Sequence, residues 1–127
     1  MVLLSKHNKK DLELFDRTAE FSEDIIDVLK EIKDTSINYP LKSQLVRSAT
    51  SIGVNYMEAE DLVSYKKDYL HKLRVCRKES KETIYWIRLL AHANPDFRNV
   101  LKSYYNEAKE LMLIFSKIIS DNKSKFL

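Results

Sequence analysis

Glycine and proline are nearly absent from this sequence: Gly53 is the only glycine, and Pro40 and Pro95 are the only prolines. Hairpins and tight βα turns draw on both residue types, so the scarcity argues against a fold of many short strands. Cys76 has no second cysteine to pair with, which rules out an internal disulfide and suits a reducing cytoplasm. No apolar run approaches the roughly 18 residues that a membrane-spanning helix needs. The opening MVLLSKHNKKD puts its apolar residues before its lysines and is too short for a secretory signal. Glycine-rich phosphate loops and nucleophile elbows are missing as well.

What is present is helical patterning. With 44% hydrophobic and 32% charged residues, the 127-residue chain reads as one all-α domain around a single core. Residues 1–10 read as a flexible start, 11–121 as a helical bundle and 122–127 as a charged tail. Four periodic segments fall at about 11–33, 41–61, 65–92 and 97–120. The first, with Asp11 as its N-cap, repeats Leu12, Phe15, Ala19, Ser22, Ile26 and Leu29 at three-four spacing. Pro40 breaks the pattern and is placed to open the second, whose stripe is Leu41, Leu45, Ala49, Ile52, Tyr56 and Ala59. Ser64 is placed to cap the third, with Tyr69, Leu73, Cys76, Ser80, Ile84, Ile87 and Ala91 inward. Beyond Asn94 and Pro95, the fourth repeats Leu101, Tyr104, Ala108, Leu111, Phe115 and Ile118. Four long helices joined by short turns predict an antiparallel up-down-up-down four-helix bundle.

Some stripes are wider than one core requires. Helix three has a second apolar face of Val75, Tyr85, Trp86 and Leu89, and helix four adds Tyr105, Met112, Ile114 and Ile119. Such width marks either deep burial or a subunit interface; a Trp and several Tyr on it favour a homo-oligomer. Gly53, in mid-helix, costs about 1 kcal/mol relative to alanine, which implies close approach by another helix. Opposite the apolar side of helix two, Arg47, Ser51, Asn55 and Glu58 share one strip. It reads either as a solvated face with an ion pair, or as a face toward a neighbour or a central lumen.

Charge is unevenly spread. Asp11 to Asp34 holds nine acids against three bases, while Lys66 to Arg88 holds eight bases against three acids. The two helices are expected either to neutralise each other, within or between subunits, or to leave a basic surface for a polyanion. Lys66, Arg74, Arg77, Lys81 and Arg88 lie within about a quarter-turn of one another, flanked by Lys67 and Lys78. Repeated by oligomer symmetry, that strip suits a phosphate backbone. No aromatic stacking platform interleaves it, and neither a helix-turn-helix nor a zinc module is visible.

Catalysis and cofactor binding find little support. Asp68 and His71 form half of a carboxylate-bundle metal motif, but a di-iron bundle needs two Glu-x-x-His pairs and two further core glutamates. Cys76 falls on the core stripe, where a thiol acts as a small hydrophobe. No enzyme, cofactor or metal site is expected.

Residues 41–90 resemble a known family. The match rests on Ser43-Gln44-Leu45, on Arg47 through Gly53, and on Asn55 with Glu58-Ala59. It continues through Ser64, Lys66-Lys67-Asp68-Tyr69, His71-Lys72-Leu73, Lys78-Glu79, Glu82-Thr83 and Tyr85-Trp86. This pattern is similar to the four-helix-bundle proteins encoded in intervening sequences of bacterial 23S ribosomal RNA genes. The resemblance implies an antiparallel bundle assembled into a homopentameric barrel. A related branch, the accessory variability determinants of diversity-generating retroelements, forms basic pentamers that bind a reverse transcriptase and nucleic acid. The implied partners are thus further copies of the chain, RNA more than DNA, and a protein such as a reverse transcriptase, with no membrane. Two functions follow: a non-enzymatic scaffold for RNA or an RNA-bound protein, or a protein-interaction module without a nucleic-acid role.

Overall fold

The computed structural model describes Lys9 and residues 12–123. Among these residues the chain is all-α, in the order α1 (Leu14–Glu31), α2 (Asn38–Glu60), α3 (Lys66–Ala93), a 3-10 turn (Pro95–Phe97) and α4 (Arg98–Lys123). α3 packs broadly against both α2 and α4; α1 packs on α2 and more narrowly on α4. The core is one cluster that includes Phe21, Ile25, Leu45, Ile52, Leu73, Ile87, Leu101, Leu111 and Phe115.

The helix ends are set by side chains that the sequence reading did not use. α2 begins before Pro40 because Thr35 organises the turn: its Oγ1 accepts from the Asn38 amide (2.9 Å) and its carbonyl accepts from Tyr39 N–H (2.9 Å). Pro40 then sits in the first turn, where a missing N–H leaves nothing unsatisfied. α3 begins at Lys66 with no side-chain cap, so Ser64, exposed in the preceding turn, does not cap it. At its other end Asn94 donates to Leu90 O (2.9 Å). Asn94 also exchanges amide hydrogen bonds with Asn38 (2.9 and 2.8 Å), pinning the end of α3 to the start of α2. Asp11, the expected cap of α1, lies outside the described residues.

The core register of α1 is corrected by the structure. Phe15, Ala19 and Ile26 are exposed, and the buried face is Phe21, Ile25, Val28 and Leu29, continued by Ile32 just past the helix. Both registers satisfy three-four spacing; the one adopted also turns Arg17 and Asp24 inward to partners. Arg17 is the tie to α4. Its Nε and one terminal nitrogen reach the two oxygens of Glu107 (2.8 Å each), and the same terminal nitrogen reaches Glu110 (2.7 Å). Arg17 and Glu107 are both buried. Hydrogen bonding to Glu107, and then its charge, hold the Arg17 pKa above the ordinary arginine value against the opposing cost of burial.

The close approach expected at Gly53 comes from α1: a Cβ there would lie 3.2 Å from Thr18 Oγ1. The α2–α3 seam is lined with small side chains, and buried Thr83 Oγ1 donates to Ser48 Oγ (2.9 Å) across it. The stripes expected on α2 and α4 form the core, except that Leu41 and Tyr56 sit at its margin and Ile119 takes the place of Ile118, which puts Ile119 in the core and not on a second face. On α3 the buried face runs through Leu70, Leu73, Cys76, Ser80, Thr83, Ile87 and Leu90, so Tyr69, Ile84 and Ala91 sit at its margin.

Candidate nucleic-acid interface

α3 is a 28-residue rod, and most of the expected basic strip faces outward along it. Lys66, Lys67, Arg74, Lys78, Lys81 and Arg88 are exposed and Arg77 is half-buried. Arg74 and Arg88 are separated by about 21 Å along the helix axis at 1.5 Å per residue. Lys78 pairs with Glu82 one turn on (3.7 Å), an exposed contact of small energetic weight. Among the described residues, Arg74, Arg77, Lys81 and Arg88 have no carboxylate partner. Neutralisation by α1 within the chain is not the arrangement adopted, because the main contacts of α1 are with α2 and α4.

The polar strip of α2 lies along the α2–α3 seam. Arg47 donates to Glu82 (2.8 Å) and more loosely to Glu79 (3.5 Å), and Lys72 of α3 donates to Glu58 (2.9 Å). Ser51 and Asn55 turn back to their own helix, to Arg47 O (2.7 Å) and Ser51 O (2.8 Å). Arg47 and Glu58 therefore do not meet each other; each finds an α3 partner in the same chain. Tyr85 is exposed and packs edge-on against half-buried Trp86 (5.3 Å between centroids), with Leu89 half-buried one turn on. The indole N–H of Trp86 is buried and has no hydrogen-bond acceptor among the described residues.

The structure adds cations that a single-helix reading missed. Arg98 and Lys102, one turn apart at the start of α4, lie across the α3–α4 seam from Arg88 and His92 and line a common cavity with them. Lys109, further along α4, sits over the Tyr105 ring at 5.5 Å. The i,i+4 spacing of Arg98 and Lys102 is visible in the sequence, but their convergence with α3 depends on how the two helices pack. A second unforeseen feature is an apolar groove between α1 and α2, where Phe15, Val54 and Met57 are exposed around Gly53.

Burial pushes the Cys76 thiol up to about 12, and its Sγ lies 3.6 Å from Ile52 O, so it is no ready nucleophile. Among the described residues no three His, Cys, Asp or Glu side chains are grouped to hold a metal ion. No helix among them is long and apolar enough to cross a membrane.

The comparisons agree with this architecture. A protein of unknown function from the S23 ribosomal protein family of Bacteroides thetaiotaomicron VPI-5482 superposes with a TM-score of 0.75 at 32% identity. The match covers 84% of this chain and 98% of that one. No curated protein matches. The family described as 23S rRNA-intervening sequence protein matches residues 10–117, most of the chain, and the protein belongs to that family.

Proposed function

We propose that this protein is a non-enzymatic, cytoplasmic scaffold: an up-down-up-down bundle that closes into a homopentameric barrel and contacts RNA through α3. The observation that carries the RNA contact is the row Arg74, Arg77, Lys81 and Arg88, none of which has a carboxylate partner among the described residues. Phosphate contacts of this kind are non-specific and salt-dependent, and symmetry multiplies them. The alternation of helix direction is supported by the Asn38–Asn94 pin, which brings the start of α2 to the end of α3, and by the short connections.

Ring closure is supported by the unlikeness of two faces. The α1–α2 side presents Phe15, Val54 and Met57 beside exposed Asp16 and Glu23. The α3 side presents Tyr85 and Leu89 beside the bases. Unlike but complementary faces associate head to tail, the heterologous geometry from which rings are built. In this reading the acids of α1 meet the bases of a neighbouring copy, leaving the outer bases for RNA.

The test is electrophoretic retardation of a structured RNA over a salt series, with Arg74→Glu/Arg77→Glu as the comparison. We expect a linear fall of log affinity with log salt in the parent and loss of binding in the variant, with unchanged thermal unfolding. Equal binding by the variant, or retention indifferent to salt, overturns the RNA contact and leaves a protein-interaction module. Light scattering at two salt concentrations checks the assembly: a pentamer supports it and a monomer refutes it.

A further inference from the structure

Among the described residues, Arg88 and His92 of α3 and Arg98 and Lys102 of α4 line one cavity of about 360 Å³, together with Ala91 and Tyr105. Each pair is spaced by one helical turn, so the two helices present these side chains toward the same opening. No carboxylate lines the cavity. Arg88, Arg98 and Lys102 also lack a carboxylate partner elsewhere among the described residues. Three like charges gathered around one concavity repel each other, and the repulsion is relieved by an anion held between them. Guanidinium groups suit a phosphate, whose oxygens accept two parallel N–H donors. Half-buried Ala91 and the Tyr105 ring make the lining unlike an inorganic-ion site, since they offer apolar and aromatic surface to a planar ring. The volume falls at the small end of the range for ligand pockets.

We propose that this cavity binds a nucleotide unit, with the phosphate among Arg88, Arg98 and Lys102 and the base against Ala91 and Tyr105. The same chemistry is offered by a free nucleoside monophosphate and by the phosphorylated end of an RNA strand. Only the second source rests on the RNA reading above, for which the cavity would fix one end of a strand laid along α3.

The experiment is a titration of the full-length protein with AMP, adenosine and inorganic phosphate, followed by amide chemical shifts. Arg98→Glu/Lys102→Glu is the pocket variant and Arg74→Glu/Arg77→Glu the strip variant, each checked for unchanged unfolding. AMP is expected to shift amides between residues 87 and 105, and to bind at least about tenfold more tightly than adenosine or phosphate. The pocket variant is expected to lose that preference and the strip variant to keep it. Absence of AMP-dependent shifts at millimolar ligand, equal response to adenosine, or an unaffected pocket variant overturns the proposal. A matched RNA with and without a 5′-phosphate then separates the sources. A phosphate-dependent gain that the pocket variant loses assigns the RNA end; no gain, with AMP binding intact, assigns the free nucleotide. Loss of RNA binding in the strip variant with AMP binding retained keeps the two readings distinct.

Discussion

The clamp between Arg17 and Glu107 gives the sharpest test of how the bundle is held. Glu107→Ala removes the acceptor of two of the three charge-assisted hydrogen bonds made by Arg17, leaving a guanidinium whose side chain is 8% exposed. Glu110 remains at 2.7 Å, but its side chain is 44% exposed and offers one contact. Breaking a buried pair by removing one partner costs about 3–5 kcal/mol, and retention of Glu110 should reduce this to roughly 2–3 kcal/mol. For a chain of this size that is a fall in Tm of about 8–12 °C. Replacing both partners by apolar residues, Arg17→Met with Glu107→Leu, should return stability to within about 1 kcal/mol of the parent, because no charge is left buried. The assay is a double-mutant cycle by chemical denaturation, with amide exchange in α1 as the local readout. Because the Arg17 pKa is raised, its contribution is fully present below the ordinary arginine value and is lost only as pH rises beyond it. The cycle should therefore give the same coupling at neutral and mildly alkaline pH. A cost below about 0.5 kcal/mol for Glu107→Ala, or additive single substitutions, would refute the clamp as an energetic element.

Three further outcomes are expected. Cys76, with its pKa pushed up to about 12 by burial, should resist a thiol reagent at pH 8 in the folded protein and react at a rate set by unfolding; fast modification under native conditions contradicts this. Burial first, then the charges of Asp24, Asp27 and Glu31, raise the Tyr104 phenol from 10.0 to about 12. The folded state therefore holds that proton more tightly than the unfolded state, and stability should fall as pH climbs from 10 towards 12. Tyr104→Phe should flatten that fall, and an unchanged profile would remove Tyr104 as its cause. Gly53→Ala should gain little in the parent, because the new methyl meets Thr18 Oγ1 at 3.2 Å, itself bonded to Phe15 O. In a Thr18→Ala background most of the helix-propensity gain of about 1 kcal/mol should appear, as measured by denaturation.

How far the sequence could be read depended on whether a pattern had one solution. α2 and α4 were legible because their apolar residues offer a single inward register, from Leu45 to Ala59 and from Leu101 to Phe115. α1 was not, because Phe15–Ala19–Ile26 and Phe21–Ile25–Val28 are both good helical stripes. What decides between them is the docking of Arg17 on a glutamate 90 residues away. The basic row on α3 could be read because it lies on one helix. The cavity at its Arg88 end could not, since two of its three cations belong to α4. The α2 strip was legible as a cluster but not in its pairing. Arg47 and Glu58 each reach across to α3, and no spacing within α2 predicts which residues stand opposite.

The clamp on α1 also bears on the order in which a ribosome delivers this chain. α1 leaves the exit tunnel before the other three helices, and Glu107 follows Arg17 only after 90 further residues. Until they do, Arg17 has no acceptor, and the apolar face of Phe21, Ile25 and Val28 has only α2 to lean on. The α2–α3 and α3–α4 seams join helices adjacent in the chain and can zip as each emerges, whereas the α1–α4 tie must wait through a long loop closure. The earliest of these four helices is thus the last to be locked. Until α4 follows, it is the part of the bundle most available to a chaperone, a protease or the α1 of a neighbouring nascent chain.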